Sequence, residues 1–266
     1  MSEETKTFTT VKEAYERHDR GKRRKMEDSY TMINNLFEGV EGKPELGYFA
    51  LFDGHGGKTA SEWASKNLHV IITEELASKD TNAIDAAFME HCFTEADQKM
   101  IASGVEYPGC TATVCIVDKA NSTLHVANVG DSHAYLIVKG ADAPVRLTTE
   151  HRCTNPEEKA RIESLGGFVT GDRVNGLMDV TRSLGDGAMK TFLTAVPAYN
   201  KVTYDPAVDT VVVIACDGLW DYVPPKEVEN VIRTNESALV NTPSILITTA
   251  IRAKTTDNIS AMVIRL

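Results

Sequence analysis

The chain lacks any apolar run near the ~18–20 residues a bilayer-spanning helix needs, so a transmembrane protein is not expected. Its opening, MSEETKTFTT, has neither the basic start nor the apolar centre of a secretory signal. The Met-Ser start and the VIRL end carry no lipidation signal, so no membrane association is expected. No C-x-x-C pair occurs. The five Cys, at 92, 110, 115, 153 and 216, are an odd number and read as the reduced thiols of an intracellular protein, cytoplasmic or nuclear. Positive charge is scarce, 28 Lys and Arg against 38 Asp and Glu, a net charge of -10 that argues against a nucleic-acid partner. The one basic cluster, Arg20-Gly-Lys22-Arg23-Arg24-Lys25, runs straight into Met26-Glu27-Asp28 and reads as solvated surface, an import signal or a phosphate site. No Pro-, Gly- or Ser-rich linker and no long repeat divides the 266 residues. A single domain over 1–266, monomeric, is expected, with the polar residues 1–6 frayed.

What is present is a change of period along the chain. Strand-like segments near 7–15, 29–33 and 47–52 come first. Gly56-Gly57 then opens a helix whose Ala60, Trp63, Ala64, Leu68, Ile71, Ile72 and Leu76 keep the spacing of one buried face. A second helix is expected over about 82–102. TATVCIVD, TLHVANV and HAYLIVK are strand-length runs, the first two joined by the turn Lys119-Ala-Asn-Ser122. Asn155-Pro156 supplies the cap and first turn of a short helix that Gly166-Gly167 ends. Residues 171–200 are irregular and glycine-rich. KVTYD and DTVVVIACD are strands, two helices follow over about 224–233 and 243–253, and ISAMVIRL closes as a strand. Such clustering, in place of strict alternation, predicts an α+β fold: antiparallel sheets with helices packed outside.

Three apolar strands end on Asp. YFALFDGHGG stops on Asp53, ANVGDS on Asp131 and VVVIACDGLWD on Asp217, with Asp221 beyond, while Asp257 in TTDNIS precedes the last strand. One Asp-Gly at a strand end is ordinary turn chemistry. Several, each on a buried strand, can be gathered at one end of a sandwich, where their mutual repulsion needs an offset. Hard oxygen ligands without a His or Cys cluster favour Mg²⁺ or Mn²⁺ over Zn²⁺. Gly54 and Gly218 beside their Asp residues would leave the backbone open to an ion or water. Two such ions about 4 Å apart can activate a water and neutralise a phosphate together, so phosphate-ester hydrolysis is the reaction class this pattern suggests. Arg23 or Arg24 can clamp phosphate oxygens with a planar fork, and His55 can protonate a leaving alkoxide. The plain alternatives are a solvated arginine and a turn histidine.

RRKMED, YFALFDGHGG, GCTATVCIVD, ANVGDS, LTTEH, RVNG with VTRSLGD, ACDGLWD and TTDNIS, in this order, resemble the metal-dependent type 2C serine/threonine protein phosphatases. The resemblance covers the chain from about residue 20 onward. It implies a central sandwich of two antiparallel β-sheets flanked by α-helices on both outer faces. It also implies attack on phosphoserine or phosphothreonine in proteins by a water held between two Mn²⁺ or Mg²⁺ ions, with no covalent phosphoenzyme. By the same resemblance Asp53 bridges both metals, the Gly54 carbonyl binds one, and Asp217 and Asp257 are the remaining direct ligands. Glu27 and Asp28 hold metal-bound waters, Arg23 rather than Arg24 binds phosphate, and His55 is the general acid. Asp131 and Asp221 match ligands of a weaker third metal found in some members, and 171–200 matches the flap beside the active site.

The departures are Asp179, where the family has a small apolar residue, Thr181 where Ser is frequent, His133 where Arg is frequent, and Lys254-Thr255 before the last ligand loop. None removes a direct ligand. A scaffold that kept the fold without activity would be expected to have lost some of Arg23, Glu27, Asp28, Asp53, Asp217 or Asp257, and all are present. A nucleotide phosphoesterase would be expected to carry a phosphate loop of the G-x-x-x-x-G-K-[ST] type, and none occurs.

Overall fold

Every residue of the strand Leu46–Phe52 is buried, although its neighbours run antiparallel to it. Alternate side chains explain this. Tyr48, Ala50 and Phe52 point to one cluster shared with two helices, and Phe49 and Leu51 point to a second cluster that lies between two sheets. The same two-sided burial makes Ala112–Asp118 and Thr210–Ala215 uninterrupted apolar runs. A sheet covered on both faces needs no polar alternation, whichever way its strands run.

The computed structural model describes residues 8–266; the segment 1–6, expected to fray, lies outside the described residues. One five-stranded sheet has the order Glu13–Asp19, Ile259–Arg265, Thr210–Ala215, His133–Val138, Val145–Arg146. The other has the order Ala198–Thr203, Thr123–Val129, Ala112–Asp118, Leu46–Phe52, Ser29–Ile33. All pairings within both are antiparallel. Helices Thr59–Leu76 and Ala86–Ala102 cover the second sheet, and Pro225–Thr234 and Thr242–Arg252 cover the first. The expected α+β sandwich with helices on both outer faces is therefore the observed architecture. Among the described residues no helix is long and apolar enough to cross a membrane.

Local signals set most element ends. Asp85 caps the second helix by accepting from the Phe88 N–H, so that helix starts after a short 3₁₀ turn, Thr81–Ala83, and not at 82. Asn155 caps Pro156–Ser164 through the Glu157 N–H. The first strand begins at Glu13, later than expected. Ahead of it Thr10 is spent on another partner, its Oγ1 donating to the Asn34 carbonyl at 2.7 Å.

The register explains where the acids go. Ser29 pairs with Phe52, so Asp28 and Asp53 are neighbours. Thr111 N–H donates to the Asp53 carbonyl, and Ala112 faces Val129, which brings Asp131 to the same end. In the other sheet Ala215 lies between Ala261 and His133, which places Asp217 and Asp257 beside Asp131. Both sheets thus deliver carboxylates to one end of the sandwich.

The stretch 171–200 supplies the second strand of a small hairpin, Arg173–Val174 paired with Val169–Thr170, and holds a 3₁₀ turn, Gly187–Met189. Its root is fastened by Glu158, a buried carboxylate on the Pro156–Ser164 helix. Glu158 accepts from Arg182 Nε at 3.0 Å, Arg161 Nη2 at 3.0 Å and Thr181 Oγ1 at 2.7 Å. Burial alone would raise its pKa, but hydrogen bonds from Arg182 and Thr181 with both arginine charges hold it down to about 2. Its contribution to stability is therefore present above the ordinary carboxylate pKa and is lost as the pH falls towards about 2. Glu158→Ala strands two partly buried guanidinium groups and is expected to cost about 3 kcal/mol. Urea unfolding at neutral pH measures this, and an unchanged midpoint would mean the network contributes nothing.

Candidate active site

A cleft of about 360 Å³ opens at the acidic end of the sandwich, and Arg23, Glu27, Asp53, His55, Asp131, Asp217 and Asp257 all line it. The structure thus brings together nearly every site residue expected from the sequence. Arg23 lines this cleft and Arg24 does not. Asp221 stands at its rim, joined to it through Arg152.

The carboxylates oppose one another. Burial, then the charges of Asp28, Asp217, Asp131 and Asp257, push the Asp53 pKa well above its usual range. Burial and the charges of Asp131 and Asp257 push Asp217 up to about 8. Asp28 rises to about 6 through burial, against a 2.6 Å hydrogen bond from Ser260 Oγ. Its other oxygen, Oδ1, is buried and has no partner. Acids so placed are suited to bound divalent cations, and an orphaned carboxylate oxygen suits the water shell of such an ion.

Asn258 builds the wall that carries Arg23 and Glu27. Its Nδ2 donates to the carbonyls of Arg20 and Lys25, each at 2.9 Å, and its Oδ1 accepts from Glu27 N–H at 2.8 Å. Ser61, buried on the first helix, adds a hydrogen bond to the Glu27 carbonyl. Arg23 Nη2 meets Asp257 Oδ2 at 2.6 Å, which holds the guanidinium at the cleft mouth.

The glycines beside Asp53 and Asp217 are also closely packed. A Cβ on Gly54 would lie 2.3 Å from the Glu27 carbonyl oxygen, and one on Gly218 would lie 1.9 Å from that of Asn258. Their bareness also lets neighbouring backbone close in, and Gly54 itself lines the cleft.

His55 faces a partner that sequence reasoning missed. Its Nε2 lies 2.8 and 2.9 Å from the two oxygens of buried Asp186, which Ser183 Oγ also engages at 2.6 Å. Burial works against a charged imidazole, but the hydrogen bond and charge of Asp186 outweigh it and raise the His55 pKa. Gly109 is the floor under this pair: a Cβ there would lie 2.1 Å from Asp186 Oδ2 and 2.5 Å from His55 Nε2. The Asp of VTRSLGD, beside a glycine in the same manner as Asp53, was the available signal for Asp186.

Arg152 is the second missed residue. Its Nε donates to Asp131 at 2.7 Å, its Nη1 and Nη2 grip both oxygens of Asp221 at 3.0 Å, and Nη2 reaches Asp217 at 3.1 Å. The position expected for a third metal therefore holds the Arg152 guanidinium. A basic residue directly after LTTEH was the only sequence trace of it.

Two departures acquire partners. Asp179 accepts from Arg173 Nη2 at 3.0 Å and clasps the hairpin, while Arg173 Nη1 donates to the Leu177 carbonyl. His133 is buried, bonded through Nδ1 to Thr148 Oγ1 at 2.9 Å, and burial drives its pKa down to about 3, so it is a neutral core residue. Elsewhere, Glu75, His91 and Glu95 bring ligand atoms within 4.8 Å of one another on the outer helices. Each glutamate already holds a lysine, at 3.1 Å for Lys79 and 2.6 Å for Lys99, so this trio is an ion-pair network.

Fold, acidic cleft and histidine together define a phosphate-ester hydrolase. Residues 16–259 match the protein phosphatase 2C family, and the chain belongs to that family. Protein phosphatase 2C homolog 1 of Saccharomyces cerevisiae is 33% identical over 261 residues, covering 91% of this chain and 88% of the relative. The human integrin-linked kinase-associated serine/threonine phosphatase 2C is 32% identical over 231 residues, 80% of this chain and 58% of the relative. The crystal structure of a serine-threonine phosphatase 2C from Toxoplasma gondii aligns with a TM-score of 0.81 at 21% identity. It covers 98% of this chain and 96% of its own, which establishes the shared fold. The chain is thus a protein phosphatase.

Proposed function

We propose that the chain hydrolyses phosphoserine and phosphothreonine in proteins by direct attack of water, using two divalent cations of the Mn²⁺ or Mg²⁺ type. The observation that carries this is the convergence of Asp53, Asp217 and Asp257 on one cleft, with Asp28 buried beside Asp53, the pKa values of Asp28, Asp53 and Asp217 raised, and Asp28 Oδ1 unpartnered. Asp53 would hold both ions, with Asp217, Asp257 and the Gly54 carbonyl as further direct ligands. Glu27 and Asp28 would accept hydrogen bonds from the surrounding waters. Bound, the ions would lower the pKa of a water and neutralise phosphate charge.

The chain's own groups do the rest. Arg23 at the mouth turns its planar fork from Asp257 to the incoming phosphate and fixes its orientation. Asp186 keeps Nε2 of His55 engaged, so Nδ1 is the nitrogen left to protonate the departing serine or threonine oxygen. Arg173 on the hairpin and Asp179 paired with it both line the cleft and would face the flanking peptide.

Stripping the protein with a chelator and titrating Mn²⁺ against a phosphothreonine peptide tests this reading. Hydrolysis should appear only with metal; a folded sample inactive under every divalent ion would overturn it. Arg23→Ala should raise KM about tenfold or more with a smaller change in kcat, because phosphate is gripped in ground and transition states alike. An unchanged KM would transfer that role to Arg24.

A further inference from the structure

We propose that Arg152 replaces the third divalent cation as a permanent, covalently attached one, so that this chain binds two metal ions and not three. The inference rests on the two-ion reading above and concerns only the site formed by Asp131, Asp217 and Asp221.

Three aspects of the geometry lead there. The first is saturation. Four contacts of 2.7–3.1 Å join one guanidinium to three carboxylates, with Nη1 and Nη2 forming a fork on Asp221. A small divalent ion would need those same oxygens at about 2.1 Å. It would have to expel a group that cannot shed its charge. Displaced, Arg152 would exchange four close contacts for acids such as Glu150, now 4.0 Å from its Nε.

The second is anchorage. The backbone of Arg152 is not free to swing away. It bridges Val180 as an isolated antiparallel pair, Thr181 N–H donates to the His151 carbonyl at 2.8 Å, and Asn155 N–H donates to the Arg152 carbonyl at 3.0 Å. The flap's return strand and the cap of the Pro156–Ser164 helix thus fix the root of the side chain, which is only 23% exposed.

The third is division of labour on Asp217. Its Oδ2 accepts from Arg152, which leaves Oδ1 for the ion pair. Arg152 is therefore a positioning residue. It turns Asp217 towards the two ions and compensates the Asp131 charge through the Nε contact at 2.7 Å. Asp131 and Asp221 then serve the guanidinium and bind no metal.

Counting bound Mn²⁺ by equilibrium dialysis with elemental analysis, up to millimolar free ion, separates the outcomes without recourse to activity. Wild type should saturate at two ions and Asp221→Asn should also hold two. Arg152→Gln should hold three, the last one weak and lost again in Arg152→Gln/Asp221→Asn. Thermal melts confirm that each variant folds, and the Asp221→Asn count stands on its own if Arg152→Gln does not. Three ions in wild type falling to two in Asp221→Asn would overturn the replacement while leaving the two-ion reading intact. Two ions in a folded Arg152→Gln would likewise overturn it. No bound ion in wild type would overturn the two-ion reading and the replacement with it.

Discussion

Asp217→Asn is expected to lose at least about 100-fold in kcat/KM while its metal-free form melts at a higher temperature than wild type. The loss follows from the ligand role proposed for Asp217, since metal assistance supplies several kcal/mol and each 1.36 kcal/mol is tenfold in rate. The gain in stability follows from the repulsion already present in the cleft. Asp217 is pushed up to about 8 and Asp28 to about 6, so the metal-free folded protein holds protons that the unfolded chain releases near pH 4. For acids raised in this way, stability is fully present below the unfolded pKa and is lost as the pH rises through the folded one. Metal-free wild type should therefore weaken steadily between about pH 4 and 8. An amide at 217 keeps an acceptor for Arg152 and removes the charge. With the Asp217 side chain 26% exposed, a gain of about 2 kcal/mol at pH 8, roughly 5 °C in melting temperature, is reasonable. Added Mn²⁺ should stabilise wild type far more than the variant. Scanning calorimetry at pH 6 and pH 8, with and without Mn²⁺, checks all of this. A variant that melts lower than wild type in chelator would show that Asp217 serves the core more than the site.

Gly109→Ala should lower kcat on a phosphothreonine peptide about 100-fold, with little change in KM. One methyl group is enough because the Cβ would sit 2.1 Å from Asp186 Oδ2 and 2.5 Å from His55 Nε2, so the two side chains cannot both keep their places. Asp186 is tied by Ser183 Oγ and by its own N–H to the Pro108 carbonyl, and it already sits at a strained φ of 51°. The imidazole is the group that must give way, and losing a positioned general acid costs about 10²–10⁴-fold. Overpacking adds about 1–3 kcal/mol of lost stability. Arg23 is untouched, which is why KM should hold. An aryl phosphate, whose leaving group needs less protonation, should be affected less. Equal losses on peptide and aryl substrates would remove His55 from the general-acid role, and an unchanged kcat would remove the dyad from the mechanism.

The layered fold was legible because its strands advertise themselves. LGYFALF and TVVVIA are apolar at nearly every position, and the helices that cover them carry one apolar face each. The acids at strand ends were legible for the same reason, since each is attached to a recognisable strand. What escaped were residues whose meaning depends on distant partners. Asp186 meets His55 across 131 positions, and Arg152 meets Asp217 and Asp221 across 65 and 69. Nothing local distinguishes a guanidinium held by three carboxylates from one in water. The packing role of Gly54 and Gly218 escaped for a related reason: the backbone that presses against them comes from Glu27 and Asn258, far away in sequence.

The staple made by Asn258 has a consequence for how the protein is born. The loop that carries Arg23 and Glu27 is fastened by a residue 231 to 238 positions later, and among the described residues the Glu13–Asp19 strand pairs only with Ile259–Arg265. During synthesis at about 5–20 residues per second, that first strand waits on the order of ten seconds or more for its only neighbour. Until then it presents an unpaired edge, the kind of surface that other chains and chaperones engage. The half-made protein has four strands of its second sheet and two helices, yet it has no phosphate grip. The phosphate grip can form only once Asn258 has left the ribosome, so the nascent chain lacks it through most of the synthesis of this domain.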